Sequence, residues 1–277
     1  MSLWNAFLLG ALQGLTEFLP VSSSGHLVLL ESWLHLPLES LKSFDIAVHF
    51  GTLLAIMVYF WKDILGLIKA FFLTIGQLFL RHRKPFSDSM NESRQLLGNI
   101  ILATIPAIII GLTLGDWLDE MFRNPKSVAI FMMSVGALFF VVEYIFSKLQ
   151  TKKIGLVEAV LMGFAQCLAL IPGVSRSGIT ISAGLVQGVK RDDAARFSFL
   201  LGAAAIFGAT IFGLVAVMKG KYSLPEPAAL FTGIATSFVF GLAAISFFMQ
   251  FVKKNTLRIF GAYRIILGLI ILFSLTR

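Results

Sequence analysis

The first apolar segment carries two side chains that could do chemistry at membrane depth. Gln13 and Glu17 are four residues apart and therefore share one face of a helix. A carboxylate inside an apolar helix is costly and indicates function by default. Two oxygen-bearing side chains on one face suit Mg²⁺ or Ca²⁺, so the pair is a candidate metal site. The alternative, a hydrogen bond that packs two helices, is favoured for Gln13 taken alone but not for Glu17.

A group of serines and a histidine follows Pro20 in the same segment, at Ser22, Ser23, Ser24 and His26. Serine is a weak nucleophile unless a base lies within hydrogen-bond reach, and histidine is the commonest general base. The group therefore predicts a serine activated by His26. The alternative is a helix N-cap, which would use one serine and leave the other two.

A second polar stretch, PGVSRSGIT at 172–180, has the composition of an anion-binding loop. Glycines let backbone N–H groups approach an anion, and the N-terminus of the following helix adds its positive dipole. Arg176 adds a planar fork that matches phosphate oxygens. Further diphosphate contacts are predicted at Gly173, Ser175, Ser177, Gly178 and Thr180. The alternative is an ion pair between Arg176 and Glu17, which would still mark the site.

The two stretches are copies of one pattern. GALQGLTEFLPVSSSG at 10–25 superimposes on GFAQCLALIPGVSRSG at 163–178 without a gap, at an offset of 153 positions. Glycines and serines coincide, whereas Glu17 faces Leu170 and Ser23 faces Arg176. A duplicated scaffold has thus kept its turn residues and divided its charged groups. Because Ser23 takes the place of Arg176, we predict that these two side chains meet at one point.

The composition defines the surroundings of these groups. Of the 277 residues, 57% are hydrophobic and 14% are charged, against about 25% charged in soluble domains. Apolar runs long enough to cross a bilayer recur, which predicts an all-α polytopic membrane protein of one domain. The first apolar segment lacks a basic start, so we expect no cleaved signal peptide. The single cysteine, Cys167, excludes an internal disulfide.

Full transmembrane spans are predicted at about 44–61, 98–115, 127–147, 195–218, 226–251 and 257–275. The segments 5–35 and 155–189 fit poorly as single spans, because proline and glycine interrupt each near its middle. Non-helical backbone at membrane depth is tolerated where protein or a water-filled cavity surrounds it. Both segments are therefore predicted to be re-entrant helix pairs.

Three spans separate the two re-entrant pairs, so the pairs are predicted to enter from opposite faces. The result is two inverted repeats, about 1–147 and 148–277, each a re-entrant pair followed by three transmembrane helices. Such repeats place their site at the interface of broken helices. This topology requires 63–81 to lie along the membrane surface, which the charges of Lys62, Asp63 and Lys69 favour.

The net charge of +8 is explained by the membrane rather than by nucleic acid, for which we expect no binding. Fifteen of the 23 basic residues fall on one predicted face and six on the other, which places the first face in the cytoplasm. The fifteen are Lys62, Lys69, Arg81, Arg83, Lys84, Arg94, Lys148, Lys152, Lys153, Lys190, Arg191, Arg196, Lys253, Lys254 and Arg258. Only Arg176 and Arg264 remain at membrane depth.

His35, His49 and His82 are interpreted as ordinary polar contacts, although His49, one turn after Asp45, is placed to line a cavity.

The two motifs, QGLTEFLPVSSSGH at 13–26 and PGVSRSGIT at 172–180, resemble the signatures of the bacterial undecaprenyl-diphosphate phosphatases, the bacitracin-resistance family. FDIAVHFGT at 44–52 and DAARFSFLLG at 193–202 extend the resemblance over nearly the whole chain. It implies hydrolysis of undecaprenyl diphosphate to the monophosphate in the bacterial inner membrane. That reaction recycles the lipid carrier of peptidoglycan synthesis and confers resistance to bacitracin.

The resemblance also implies roles for single residues. It implies a divalent cation or phosphate at Gln13 and Glu17, a serine–histidine group at Ser23 and His26, and an arginine loop around Arg176. Some relatives have Glu where this chain has Gln13, and a neutral amide coordinates a cation more weakly. The expected partners are the polyprenyl diphosphate and membrane lipids, and a homo-oligomer is compatible with the sequence.

Two mechanisms and two other function classes stay open at this point. Either Ser23 attacks the terminal phosphorus or water does, with His26 as the base in both cases. A transporter or flippase of a lipid phosphate or another anion also fits inverted repeats and broken helices, but it needs no serine–histidine group. A non-catalytic lipid-binding or assembly protein would leave Glu17 unexplained.

Overall fold

A computed structural model describes residues 1–34, 41–78 and 87–275 of the chain. The regular structure there is helical. The helices are α1 (Leu3–Phe18), α2 (Ser23–Trp33), α3 (Lys42–Tyr59), α4 (Trp61–Leu78), α5 (Asp88–Phe122), α6 (Pro125–Phe146), α7 (Leu156–Leu168), α8 (Arg176–Val186), α9 (Arg191–Met218), α10 (Pro227–Val252) and α11 (Arg258–Ser274).

Five of the described helices, α3, α5, α6, α9 and α10, are long and apolar enough to cross a membrane. They match five of the predicted spans, and the sixth, 257–275, falls on the 17-residue helix α11. The protein is therefore an all-α polytopic membrane protein, as predicted. Helix α4 starts at Trp61, immediately after the end of α3, and is not among the five. The surface position of 63–81 stays a prediction, and the last three of these residues lie outside the described ranges.

Both interrupted segments are helix pairs, with turns at 19–22 between α1 and α2 and at 169–175 between α7 and α8. Each turn ends on a serine with a positive φ, 76° at Ser22 and 75° at Ser175, a conformation that residues with a side chain rarely adopt. Each serine then caps the next helix, because its Oγ accepts the backbone N–H of Gly25 or Gly178. The duplicated sequence thus produces a duplicated turn, and Ser22 is an N-cap.

The first helix pair has a defined direction within the bundle. Helices α1, α3 and α10 run parallel, because the order of their contacts is the same along all three. The contacts along α10 are Gly233 with Gly10 and Phe44, then Gly241 with Gly14 and Ala55. The pair α1–α2 therefore enters from the side on which α3 begins.

The second helix pair enters from the other side. Helix α9 is antiparallel to α3, since Gly213 packs against Ile46 while Phe199 lies near Phe60. Helix α8 is antiparallel to α9. Its contacts are Thr180 with Ser198 and Gly184 with Ala194. It follows that α8 points the same way as α1 and α7 the opposite way, which is the arrangement that inverted repeats require. The internal symmetry of the two halves stays a prediction.

The packing of α1 on α10 depends on a glycine, which gives a testable prediction. A Cβ at Gly14 would lie 2.6 Å from the carbonyl oxygen of Ser237 and 2.7 Å from the nitrogen of Gly241. We expect Gly14→Ala to push the helices apart and destabilise the fold by about 1–3 kcal/mol. Gly98→Ala is the matched control, because no atom lies within 4 Å of its added Cβ. Thermal unfolding in mild detergent measures both, and equal melting temperatures would contradict the prediction.

Candidate active site

The two turns meet at an ion pair in the interior of the bundle. Glu17 is near the end of α1 and Arg176 is the first residue of α8. Arg176 Nη2 donates to Glu17 Oε1 at 2.5 Å. Ser177 Oγ also donates to the carbonyl oxygen of Leu19, at 3.4 Å. The ion pair that the sequence left as an alternative is therefore formed, and it joins the two copies of the motif.

The second oxygen of Glu17 organises the first motif. Oε2 accepts hydrogen bonds from Gln13 Nε2 at 2.8 Å and from Ser23 Oγ at 2.6 Å. His49 Nε2 lies 3.7 Å from the same oxygen. Ser23 and Arg176, which occupy equivalent positions in the two copies, thus bind the two oxygens of one carboxylate. A carboxylate so close to a serine hydroxyl can accept its proton.

His26 is not the hydrogen-bond partner of Ser23, contrary to the expectation from the sequence. Its Nδ1 lies 2.8 Å from the carbonyl oxygen of Ser22, and its Nε2 lies 2.8 Å from the hydroxyl of Tyr263 on α11. Since a carbonyl can only accept, Nδ1 carries the proton and the tyrosine hydroxyl donates to Nε2. The His26 and Tyr263 rings are also stacked. Both ring nitrogens are therefore occupied, and the histidine fastens α2 to α11.

A cavity of about 490 Å³ opens from the ion pair. Its polar end is formed by Glu17, Ser23, Ser24, Ser175 and Arg176. Its walls are largely apolar and are formed in part by Ala169, Leu170, Ala205, Ile206 and Ala209. A cavity that combines an anion-binding end with an apolar wall suits an amphiphile with a charged head group.

One part of the cavity lining is a network of ion pairs. Arg123, between α5 and α6, donates to Asp45 at 2.7 Å and to Glu31 at 3.3 Å, and Lys42 pairs with Asp119 at 3.1 Å. Burial acts to lower the pKa of Arg123, but the Asp45 and Glu31 carboxylates outweigh it and hold that pKa above its ordinary value. The network ties the ends of α2, α3 and α5 together and keeps this end of the cavity charged.

One nitrogen of the Arg176 guanidinium is unpaired among the residues that the structure describes. Its Nη1 is buried and has no hydrogen-bond partner within the described ranges. The guanidinium lies against Gly202 on α9, where a Cβ would come 0.8 Å from Nη1. The backbone of α9 thus leaves room for the arginine, and Nη1 lies buried against it with no acceptor within the described ranges.

The residues predicted to contact a diphosphate fall into two groups. Ser175 and Arg176 line the cavity. The others shape the loop. Thr180 donates to the Arg176 carbonyl oxygen at 2.7 Å and bonds to Ser198 at 2.6 Å. Gly173 has a φ of 97°, which favours glycine. Gly178 donates its N–H to Ser175, and Ser177 reaches Leu19. Gly173, Ser177, Gly178 and Thr180 therefore support the arginine from within the protein.

The expected metal ligands do not present two free oxygens to a cation in this geometry. Gln13 turns its amide nitrogen toward Glu17, and both oxygens of Glu17 already accept hydrogen bonds. The Gln13 Oε1 atom is buried without a partner in the described part of the chain. Nor does that part contain a group of three His, Cys, Asp or Glu side chains arranged to hold a metal.

The structure also places the remaining histidines and the second arginine predicted at membrane depth. His49 lines the cavity beside Glu17, whereas His35 and His82 lie outside the described residues. Arg264 on α11 is completely buried and binds backbone carbonyls of both turns, at Pro20 and Gly173. A basic residue at membrane depth indicates function, and Arg264 is one of two such residues predicted, but nothing in the sequence indicates its contacts.

Fold and site together define an integral membrane protein with an arginine–carboxylate–serine centre at the end of a cavity for an amphiphilic anion. The chain belongs to the family described as bacitracin resistance protein BacA, which matches residues 6–270. A protein named undecaprenyl-diphosphatase from Geotalea daltonii is 42% identical over 270 residues, covering 97% of this chain and 96% of its own. Proteins of the same name from Rubrobacter xylanophilus and Methanosphaera stadtmanae are 42% and 38% identical, each over 98% of this chain and 97% of its own length.

Proposed function

We propose that this protein hydrolyses undecaprenyl diphosphate to undecaprenyl phosphate and inorganic phosphate. The observation that carries the proposal is the sharing of the Glu17 carboxylate by Ser23 and Arg176 at the polar end of the cavity. The names of the relatives agree with this substrate. In the bacterial inner membrane the reaction recycles the lipid carrier of cell-wall synthesis and confers bacitracin resistance.

The cavity supplies separate places for the two parts of the substrate. The free Nη1 of Arg176 binds oxygens of the terminal phosphate, and Ser175 and Ser24 line the same end. The polyprenyl chain follows the apolar wall toward the surrounding lipid. Phosphoryl transfer depends mainly on positioning and on stabilising charge at the phosphate oxygens, which this arrangement provides.

The hydrogen bond from Ser23 to Glu17 supports a first step in which Glu17 accepts the proton of the serine hydroxyl. The Oγ of Ser23 attacks the terminal phosphorus, its proton passes to Glu17, and the bond from phosphorus to the bridging oxygen breaks. Undecaprenyl phosphate leaves, and water then cleaves the phosphoserine to release inorganic phosphate and restore the hydroxyl. In the competing mechanism water attacks directly, with Glu17 as its base and Ser23 as a hydrogen-bonding group.

Phosphate release from a defined lipid tests the proposal. Purified protein in lipid vesicles should release one phosphate per undecaprenyl diphosphate, and Glu17→Ala should remove the activity. Transport alone, the alternative from the sequence, would move the lipid between leaflets without releasing phosphate. Movement of intact diphosphate with no phosphate release would therefore contradict the proposed function.

We further propose that phosphate oxygens of the substrate, rather than Gln13 and Glu17, hold the divalent cation that the sequence predicts. A cation there would neutralise charge on the diphosphate. We expect EDTA to abolish phosphate release and Mg²⁺ or Ca²⁺ to restore it. Gln13→Glu supplies a second carboxylate, yet it should leave the half-maximal cation concentration unchanged. A several-fold fall in that concentration would show that the pair binds the metal, and full activity in EDTA would remove the cation from the reaction.

A further inference from the structure

One side chain outside both motifs contacts both of their turns. Arg264 Nη1 donates to the Pro20 carbonyl oxygen at 3.1 Å, and its Nη2 donates to those of Gly173 at 2.7 Å and Val174 at 3.1 Å. Its Nε donates to the carbonyl oxygen of Met132 on α6 at 3.0 Å. The guanidinium also lies 5.5 Å from the centre of the Phe139 ring. A single arginine thus connects both turns to α6 and α11.

The turns need such a partner because their carbonyl groups are not used within a helix. A proline and glycine turn at membrane depth leaves backbone oxygens whose burial is costly if nothing binds them. Arginine is the side chain suited to this task, since its planar group offers five N–H donors in fixed directions. A lysine in the same place would offer three donors from one point and could not reach oxygens on both turns.

The position of Arg264 matters for chemistry, not only for folding. Its bonded carbonyls lie shortly before the residues that form the site: Pro20 is three positions before Ser23, and Val174 is two positions before Arg176. The adjacent Tyr263 holds His26 on α2 in the same region. Within the described ranges all recorded hydrogen bonds of Arg264 go to backbone carbonyls, although a buried charge without a counter-ion is costly.

We propose that Arg264 is a positioning residue that sets the separation of the two turns, so that Ser23 and Arg176 both reach Glu17. The expected loss of kcat rests on the proposed function. The expected change in the separation of the turns rests on the geometry alone. A displacement of about 1 Å in a phosphoryl-transfer site can cost about 10²-fold in rate. We therefore expect Arg264→Lys to lower kcat by about that factor with a smaller change in KM.

A crosslink between the turns tests the inference without any assay of activity. Leu19→Cys and Ser177→Cys, in a Cys167→Ser background, put one thiol on each turn, at the two residues that the hydrogen bond from Ser177 Oγ to the Leu19 carbonyl oxygen joins. The rate of disulfide formation in membranes reports how closely the turns approach. Arg264→Lys in this background should slow the crosslink several-fold. If the protein released no phosphate at all, the crosslinking result would still stand, so the two proposals can fail separately.

Arg191→Lys is the matched control. Arg191 is also largely buried and donates to both oxygens of Glu143 at 2.5 Å, but its recorded contacts include neither turn. We expect it to lower the melting temperature while leaving the crosslinking rate and the kcat of folded protein near wild type. If Arg264→Lys does not fold, Phe139→Leu removes the ring beside the guanidinium, which also packs on Gly178, and should slow the crosslink less strongly. A wild-type crosslinking rate and kcat in the folded variant would overturn the inference.

Discussion

Ser23→Ala is expected to lower the turnover of undecaprenyl diphosphate by about 10⁴–10⁶-fold, because removal of an activated serine nucleophile costs up to about 10⁶-fold in kcat. The hydroxyl lies 2.6 Å from Glu17 and lines the polar end of the cavity, so it has both a proton acceptor and access to substrate. Arg176 is untouched by the substitution. Binding of a labelled lipid diphosphate should therefore stay within a few-fold of wild type while phosphate release at saturating substrate collapses.

The neighbouring serines are controls for this prediction. Ser24 lines the same cavity, and its Oγ lies 3.5 Å from that of Ser22, so Ser24→Ala removes a hydroxyl without removing the proposed nucleophile. Ser22→Ala removes an N-cap, which costs about 1 kcal/mol of stability. Both variants should retain most of kcat in the folded protein. Trapping a phosphorylated serine after an acid quench would identify the intermediate directly.

The outcome of Ser23→Ala also separates the two mechanisms. If the variant keeps most of its kcat and no phosphoserine forms, water is the nucleophile and Ser23 only helps to orient the substrate or Glu17. Glu17→Gln should then be the more damaging change, because the base of the direct mechanism would be lost.

Much of the fold could be predicted because its signals are local. Apolar runs identify the spans, and proline followed by glycine and serine identifies the two broken helices. The gapless duplication predicted that Ser23 and Arg176 would converge, and the structure brings both to the carboxylate of Glu17. These features depend on composition and spacing, which a single sequence contains.

The contacts that the sequence could not give are those between distant segments. His26 binds Tyr263, which is 237 positions away, so this hydrogen bond could not be predicted from the proximity of His26 to Ser23 along the chain. The role of His26 as a base stays a prediction. Gln13 and Glu17 share a helix face as predicted, but the amide nitrogen of Gln13 faces the carboxylate. The Glu17 carboxylate accepts hydrogen bonds from Gln13, Ser23 and Arg176, so the donor end of the Gln13 amide faces it. Spacing on a helix therefore predicted the neighbours and not the direction of their polar atoms.

Arg176→Lys should also be severely defective, although it preserves the charge. Arg176 Nη2 binds Glu17, and we propose that Nη1, which is unpaired within the described ranges, binds the substrate phosphate, so the two nitrogens have different roles. One ammonium group cannot fill both positions, and the lysine will either hold Glu17 or reach the phosphate. We expect kcat/KM to fall by about 10²–10³-fold, which corresponds to losing a charge-assisted bidentate interaction. Steady-state phosphate release with varied lipid concentration measures the loss.

Arg196→Lys is the control for Arg176→Lys, since it makes the same chemical change outside the cavity. Arg196 pairs with Asp63 and is half-exposed, so its replacement by lysine should change kcat/KM by less than a few-fold. Glu17→Gln combined with Arg176→Lys gives the sharper comparison. If Arg176 acts partly through Glu17, the double variant will lose less than the two single losses multiplied together. Hydrolysis by Arg176→Lys within a few-fold of wild type would show that charge alone is enough and that the planar fork has no role.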